Sequence, residues 1–212
     1  MFYFKNSTIF LCLCVMVSNI SLALVENPDK QKLNILILYE SLCPDSKQFM
    51  QNQLGPNYES LKDFIDIKLV PFGKSNSFDN GLQFFCQHGP RECMGNRQQS
   101  CVLHQSQDPV AQVKFAVCQM TKLDTSSIKE CSELAGLSSD INQCMSSETG
   151  TLLQLEAERI THSYAPSFIP TIIYNGVFEQ QLQDNSIRDF RGTVCYLLQK
   201  RGDISFHDEV CQ

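Results

Sequence analysis

The feature that most restricts the fold of this chain is an apolar run, "LNILILY" at Leu33–Tyr39, which leads almost directly into a cysteine and a proline. The run has the length of a strand and hardly alternates between apolar and polar residues. This pattern indicates a strand covered on both faces, as in a parallel sheet. A helical pattern over residues 45–54 follows, and "FIDIKLV" at Phe64–Val70 alternates as a second strand does. Strand, helix and strand form a βαβ unit, so this part of the chain predicts an α/β fold.

The middle of the chain, from about residue 82 to residue 162, has helical patterns and many cysteines. A helix is expected to begin at Pro109, because proline is favoured at the first helical position. Further helices are expected over about 126–134 and 148–160. We interpret this block as a helical insertion that disulfides hold together.

The end of the chain returns to β-structure. A short strand is expected at Thr171–Tyr174, then a turn at Asn175-Gly176 and a second short strand from Val177, because Asn-Gly between apolar runs favours a hairpin. A final helix is expected over Ile187–Lys200. The complete order predicts a thioredoxin-like α/β fold with a disulfide-rich helical insertion between the βαβ unit and a C-terminal β-hairpin.

The first 23 residues have the pattern of a secretory signal peptide. Lys5 precedes the apolar run Ile9–Val17, and Ser21–Ala23 has the small residues of a cleavage site. The run is shorter than the roughly 20 residues that span a bilayer, although an uncleaved signal anchor is the alternative. The mature protein is therefore expected to be one domain, residues 24–212, that does not associate with a membrane.

The charge balance argues against nucleic acid as a partner. The chain has 17 Lys and Arg against 23 Asp and Glu, a formal net charge of −6, and no basic stripe along the sequence. The sequence carries no signal for an oligomeric state.

The cysteine count predicts one unpaired thiol. Of the 11 cysteines, Cys12 and Cys14 would leave with the signal peptide. The remainder is an odd number, and cysteines in an oxidising compartment pair. Cys43 is the expected free thiol, and the others are expected to form disulfides whose connectivity the sequence leaves open.

Cys43 stands where the first strand ends and a helix begins. Free backbone N–H groups and the helix dipole favour negative charge at such a position, and the thiolate is the reactive form of cysteine. Pro44 fits the first helical turn. We expect Ser46, one turn further, to be exposed and its hydroxyl to donate a hydrogen bond to the sulfur. A buried structural cysteine near a helix start is the alternative.

The segment "FIPT", Phe168–Thr171, places a proline at the start of a predicted strand. Only ~5% of the bonds before proline in folded proteins are cis, so an ordinary trans proline is the simpler interpretation. The hairpin signal that follows favours a cis Ile169-Pro170 bond beside Cys43. The Ile169 backbone would then be free to pair with an extended substrate, so Ile169 and Pro170 are candidate substrate-binding residues.

The stretch "CQHGPRECMGNRQQSC" contains possible zinc ligands. Cys86, His88, Cys93 and Cys101 are suitable donors. An oxidising compartment and the lack of a C-x₂-C pair argue against a metal, so no metal site is expected here. We expect His88 to be a hydrogen-bonded structural residue and Glu92 to cap a helix or loop.

The same stretch resembles, without a gap, the signature of the gamma-interferon-inducible lysosomal thiol reductase (GILT) family. "YESLCPDS" and "IPTIIYNG" are similar to the active-site segment and the proline strand of that family. The resemblance implies a thioredoxin-like fold and reduction of protein disulfides, often in acidic endolysosomes, and we interpret the signature itself as structural. The matching positions are Cys86, Gln87, His88, Gly89, Glu92, Cys93, Asn96 and Cys101.

Two features depart from the family pattern. Ser46 replaces the second cysteine of a C-x-x-C motif, which gives the C-x-x-S form that resembles insect members of the family. Asn6 and Asn19 begin the N-x-S/T sequons of the chain, and both lie in the predicted signal peptide. Sorting to lysosomes through N-glycans is therefore not expected, which favours secretion or another lysosomal route.

The sequence is compatible with two functions. In the first, Cys43 attacks disulfide-bonded proteins and Ser46 cannot complete the reaction. An external thiol such as glutathione or cysteine, or a thiol of the substrate, then releases the product, and no cofactor is bound. In the second, the chain is a secreted binding protein that has kept the scaffold and lost turnover. The reactivity of the Cys43 thiol discriminates between the two.

Overall fold

The computed structural model describes residues 31–122, 125–205 and 207–212, so the predicted signal peptide lies outside the described residues. A three-stranded sheet has the order β2-β1-β5, with β1 parallel to β2 and antiparallel to β5. A separate antiparallel pair is formed by β3 and β4. The strands are β1 Leu33–Tyr39, β2 Ile65–Pro71, β3 Asn76–Phe78, β4 Gln83–Phe85 and β5 Thr171–Tyr174.

Helices connect and surround these strands. The predicted βαβ unit is confirmed, because β1 and β2 are parallel and helices lie between them in the chain. The α-helices are α1 Pro44–Phe49, α2 Gly55–Leu61, α3 Pro90–His104, α4 Pro109–Lys122, α5 Ile128–Ala135, α6 Asn142–Ser146, α7 Glu148–Tyr164, α8 Gln180–Arg188 and α9 Phe190–Lys200.

The helical segment after β1 is longer than predicted. It continues from α1 through a wider helical turn, Met50–Leu54, into α2. In this turn the Gly55 N–H donates to the Met50 carbonyl, five residues earlier. Pro56 lacks an N–H and its ring crowds the preceding turn. A wide turn of this kind accommodates such a residue, and the helix does not end there.

The carboxyl end of β1 is the most deeply buried part of the sheet. Ile37, Leu38 and Tyr39 are all 0% exposed, so both faces of the strand are covered there, as predicted. At the other end of β1, Asn34 is exposed and Leu36 is half-buried. The loop that follows Tyr39, and that carries Cys43, therefore begins from a fixed point in the core.

Disulfides hold the helical insertion, as predicted. Cys43 is free and the other eight cysteines among the described residues are paired. The bridges attach the segment before α3 to α3 itself, α3 to α6, α4 to α5, and α9 to the C-terminal turn. They are Cys86–Cys93, Cys101–Cys144, Cys118–Cys131 and Cys195–Cys211.

The beginning of the insertion differs from the prediction. Residues 82–85 were expected to be helical, but β4 pairs there with β3. A turn with positive φ at Asp79 and Asn80 joins the two strands, and Phe78 packs against Phe85 with ring centroids 4.8 Å apart. Aromatic cross-strand pairs of this kind stabilise a short antiparallel pair more than a helix.

The predicted C-terminal hairpin is wrong in its second strand. Asn175 and Gly176 form the expected turn, with φ values of 48° and 78°, but Val177 makes only an isolated bridge to Tyr174. The chain then enters α8, whose buried residues Leu182, Gln183 and Ser186 cover β5. The strand that pairs with β5 is β1.

The final helix is also divided, since the predicted Ile187–Lys200 is the end of α8 followed by α9. The Gly192 N–H donates to Asp189 Oδ1 at 2.8 Å, which makes Asp189 the N-cap of α9. Asp is a favoured N-cap residue, so this break had a signal in the sequence that the apolar periodicity concealed.

Candidate active site

Cys43 lies at the junction of β1 and α1, as the sequence predicts. Its backbone is extended, with φ −69° and ψ 122°, and it is the N-cap of α1 with Pro44 as the first helical residue. The Ser46 backbone N–H donates to Cys43 Sγ at 3.4 Å. The thiol is free and 6% exposed. A sulfur in this place receives an N–H group that would otherwise be unpaired at the start of the helix.

The segment Ile169-Pro170 reaches Cys43 from the other end of the chain. The Ile169-Pro170 peptide bond is cis, as predicted. Cys43 Sγ lies 3.8 Å from the Ile169 carbonyl oxygen, which is 126 residues away in sequence. The fold therefore brings together three of the predicted site residues: Cys43, Ile169 and Pro170.

Ser46 adjoins Cys43, but its environment differs from the prediction in two respects. Ser46 is 0% exposed, whereas exposure was expected in the first turn. Its backbone N–H, rather than its hydroxyl, is the group that donates to the Cys43 sulfur. The hydroxyl oxygen instead lies 3.5 Å from the Glu40 N–H. The close return of the chain between Glu40 and Ser46 turns this side of the helix inward, which explains the burial.

A groove lies beside the Cys43 and Ile169 segments. It has a volume of about 480 Å³, and residues of α1, the Phe168–Pro170 segment and α8 line it. Phe168, Ile169 and Ile187 give it apolar surface. Asp45 and Asp184 give it negative charge, which Arg188 offsets in part. A groove of this volume, with apolar and charged residues in its lining, is a candidate binding site.

The stretch from Cys86 to Cys101 supports the loop that carries Cys43. The Ser41 N–H donates to Asn96 Oδ1 at 2.8 Å, and the Ser41 hydroxyl donates to the Glu92 carbonyl at 3.0 Å. Gly89 is the N-cap residue of α3, with a φ of 83°, and Gln87 is exposed. These contacts attach the stretch to the loop that carries Cys43.

Disulfides exclude the zinc alternative that was based on cysteine thiolates. Cys86 is bonded to Cys93, and Cys101 is bonded to Cys144. His88 hydrogen-bonds as expected. Its backbone N–H donates to Glu92 Oε1 at 3.0 Å, and its ring atom Nδ1 lies 2.6 Å from Glu92 Oε2. Glu92 is thus the cap of the loop that precedes α3.

Comparison with known proteins places this geometry in a family. The model of the family described as "Gamma interferon inducible lysosomal thiol reductase (GILT)" matches residues 34–135, which include Cys43 and the whole stretch from Cys86 to Cys101. The chain belongs to the GILT family.

Insect and fish members of the GILT family have similar sequences over most of this chain. A "Gamma-interferon-inducible lysosomal thiol reductase-like protein" of Anopheles gambiae is 28% identical over 185 residues, 78% of this chain and 77% of the relative. "GILT-like protein 1" of Drosophila melanogaster is 29% identical over 185 residues, 77% of this chain and 74% of the relative. The "Gamma-interferon-inducible lysosomal thiol reductase" of Carassius auratus is 29% identical over 175 residues, 78% and 68% of the two chains.

Solved structures give the fold of this GILT chain. A putative protein disulfide isomerase from Nitrosomonas europaea has a TM-score of 0.53 at 10% identity, over 81% of this chain and 99% of its own. Reduced DsbA1 from Neisseria meningitidis has a TM-score of 0.52 at 13% identity, over 82% and 87% of the two chains. The fold is thioredoxin-like, with the helical insertion described above.

No helix within residues 31–122, 125–205 and 207–212 of the GILT chain is long and apolar enough to cross a membrane.

Sequence reasoning missed two residues that position this GILT site. Gln183 holds the proline segment, because its Nε2 donates to the Pro170 carbonyl at 3.0 Å and its Oε1 accepts the Ile172 N–H at 2.7 Å. Glu40 is buried beside Ser46, and its Oε1 accepts the Lys74 N–H at 2.6 Å. Glu40 stands between an apolar strand and Cys43, a place where burial was foreseeable. Nothing in the sequence indicated the contacts of Gln183.

Burial changes the titration of Glu40. Removal of the carboxyl group from water raises the pKa of Glu40 from its ordinary value of 4.5 to about 7, and the Lys74 N–H opposes this shift in part. Glu92, also 0% exposed, raises the pKa of Glu40 further by its charge. A proton therefore stays on this carboxyl group in mildly acidic solution.

Proposed function

We propose that this protein is a thiol oxidoreductase that acts on protein disulfides through the single thiol of Cys43. The observation that carries the proposal is the free Cys43 sulfur, which accepts the Ser46 N–H and faces Ile169 beside Pro170. Relatives in Carassius auratus and Mus musculus are named thiol reductases, and both have similar sequences over most of this chain.

The first step is attack by the Cys43 thiolate on one sulfur of a substrate disulfide. A bond forms between Cys43 Sγ and that sulfur, the substrate S–S bond breaks, and the other substrate sulfur leaves as a thiolate. The Ser46 N–H stabilises negative charge on the Cys43 sulfur before attack. It does so again when that sulfur is the leaving group as a mixed disulfide breaks. The product is a mixed disulfide between protein and substrate.

Release of the substrate needs a second thiol from outside this chain. The serine hydroxyl at position 46 does not reduce a disulfide, and every other cysteine among the described residues is already bridged. A small thiol such as glutathione or cysteine attacks Cys43 Sγ in the mixed disulfide, so the substrate leaves as a thiol and Cys43 is bonded to the small thiol. A second small thiol attacks that bond, which frees Cys43 and leaves the two small thiols joined as a disulfide. If a thiol of the substrate attacks instead, the outcome is isomerisation.

The substrate is expected to bind as an extended segment. Among the described residues the Ile169 N–H has no hydrogen-bond partner. The carbonyl of the same residue faces Cys43. A substrate strand can therefore pair with this backbone while its side chains enter the groove between α1 and α8. Asp45 and Asp184 outnumber Arg188 in the lining, and this excess of negative charge favours segments with positive charge.

The proposed location is the secretory pathway, with secretion or delivery to lysosomes. The predicted signal peptide and the four disulfides support an oxidising route. The names of relatives in Carassius auratus and Mus musculus include the word lysosomal.

A turnover assay tests this proposal. A disulfide-bonded protein such as insulin is mixed with glutathione, and reduction is followed with the unmodified protein and with Cys43→Ser. We expect reduction faster than with glutathione alone for the unmodified protein, and the rate of glutathione alone for the variant.

The matched control is the double variant Cys43→Ser/Ser60→Cys, which has one free thiol on the exposed face of α2. This variant keeps the number of free thiols, but its thiol at position 60 is not beside the Ser46 N–H or the Ile169-Pro170 segment. We expect it to react no faster than a small free thiol. Equal rates for this variant and the unmodified protein would refute a built active site, and no turnover by either would favour a binding protein.

A further inference from the structure

Three possible metal ligands converge beside the loop that carries Cys43. Glu40 follows β1, His88 lies in the loop after β4, and Glu92 is in the first turn of α3. One ligand atom from each of the three lies within 4.8 Å of the others. We infer that Glu40, His88 and Glu92 bind one divalent transition-metal cation, of which Zn²⁺ is the representative.

Glu40 provides a separate indication of a ligand. Its side chain is 0% exposed, and its Oε2 has no hydrogen-bond partner among the residues that the structure describes. That oxygen lies 3.4 Å from His88 Nδ1, so it faces the cluster. Burial of an unpartnered carboxylate oxygen costs free energy, and a cation at this point would offset that cost.

The rest of the cluster has the form of a ligand set. Both carboxylate oxygens of Glu92 contact His88: Oε1 accepts the backbone N–H, and Oε2 lies beside the ring atom Nδ1. Two ligands at about 2.0–2.2 Å from a tetrahedral metal lie about 3.4 Å apart, which is the separation of Glu40 and His88. The 2.6 Å contact between His88 and Glu92 would open by less than about 1 Å as the metal replaces the hydrogen bond.

The donor types select the class of cation. One imidazole nitrogen with two carboxylate oxygens suits Zn²⁺ or a neighbouring first-row ion, whereas Ca²⁺ and Mg²⁺ prefer oxygen alone. The His88 side chain is 32% exposed, so the cation has a route from solvent and a place for a water ligand. Three protein ligands with one open position is a common arrangement for zinc.

A cation here would brace the reactive loop. It would link the end of β1 to α3, across the same gap that Ser41 bridges with its hydrogen bonds to Asn96 and Glu92. Binding depends on carboxylates and imidazole rather than on the Cys43 thiol. It can therefore be tested whether or not the protein reduces disulfides.

The test is calorimetric titration of the intact, disulfide-bonded protein with Zn²⁺ after treatment with a chelator, in buffer without thiols. We expect one equivalent to bind. Binding should be weaker by about 10-fold or more in each of the variants Glu40→Gln and His88→Asn. The near-isosteric Glu40→Gln and the partly exposed position of His88 favour folded variants, which circular dichroism checks.

Two controls decide where the metal sits. His104→Asn removes an exposed histidine at the other end of α3 and should leave binding unchanged. Cys43→Ser should also leave it unchanged, and the absorption spectrum with Co²⁺ should lack a thiolate charge-transfer band. The inference is overturned if no saturable binding occurs below the millimolar range, if His88→Asn binds as well as the unmodified protein, or if Cys43→Ser abolishes binding.

Discussion

Cys43 and Glu40 lie three residues apart on one loop, but different kinds of contact hold them. Cys43 owes its environment to the adjoining helix, since the N–H that reaches its sulfur comes from Ser46. Glu40 owes its environment to distant segments, through Lys74, His88 and Glu92. The first environment follows from the local order strand, cysteine, proline, helix. The second exists only because the chain folds back on itself, so folding stability should depend more on Glu40 than on Cys43.

The largest expected effect is a pH-dependent loss of stability that comes from Glu40. Its carboxyl group keeps its proton up to a pKa of about 7 in the folded protein, against 4.5 ordinarily. Between these values the folded state binds more protons than the unfolded state, so stability is fully present below about pH 4.5 and falls as pH rises towards 7. The loss should be at most about 3.5 kcal/mol, because the pKa shift is from 4.5 to about 7 and one pKa unit is worth about 1.4 kcal/mol.

Urea unfolding with intact disulfides and a chelator, across this pH window, measures that loss. Glu40→Gln should remove most of the dependence. The control is Glu59→Gln, which should keep the loss of stability. Lys62 lowers the pKa of the exposed Glu59 carboxyl group, so any dependence of stability on pH that Glu59 contributes has the opposite sign. If Glu40→Gln and the unmodified protein lose stability in parallel, Glu40 does not titrate as described.

A smaller effect is expected where the chain makes room for Glu40. Gly73 has a φ of +59°, and a Cβ built on it would overlap Cγ and Oε1 of Glu40. Gly73→Ala should therefore destabilise the protein by about 3 kcal/mol, from backbone strain and overpacking together. Unfolding by urea gives the value.

Gly136→Ala separates those two causes. Gly136 has a φ of +72°, but a Cβ there would meet nothing within 4 Å. This variant should show the strain alone, about 1 kcal/mol. Equal losses at positions 73 and 136 would mean that the Glu40 side chain moves away at little cost.

The part of the fold that the sequence predicted is the part with local patterns. The apolar run of β1, the start of α4 at Pro109 and the cis bond before Pro170 all had signals within a few residues. The second strand of the hairpin failed, because the chain enters α8 at Gln180 after a single bridge between Val177 and Tyr174. β5 pairs instead with β1, from far along the chain. That choice of partner had no local signal.

The candidate site divides in the same way. Cys43 was found from its position between strand and helix, and its lack of a disulfide partner was found from an odd count. Glu40 and Gln183 were missed, because their roles arise from contacts with segments 34 and 13 residues away. The possible zinc ligands in the sequence were His88 and three cysteines that are bridged, and Glu40 lies outside that stretch.

An effect on stability as small as that of Gly136→Ala is expected at Ser46. Ser46→Cys places a larger sulfur in a fully buried position beside the Glu40 N–H, and should cost about 1 kcal/mol. It should also provide the second thiol, so that substrate is released within one molecule and turnover rises. Ser46→Ala is the control, because it removes the hydroxyl without adding a thiol. A gain in turnover with alanine would mean that the hydroxyl, not the missing thiol, limits the reaction.

The most direct test of the single-thiol mechanism is the mass of the intact protein after mixing with a disulfide-bonded protein without small thiols, in mildly acidic and in neutral buffer. The mechanism predicts a covalent adduct at Cys43 that persists, disappears when glutathione is added, and becomes scarce in Ser46→Cys. A protein whose Cys43 is free by mass, yet forms no adduct in either buffer, would contradict the mechanism.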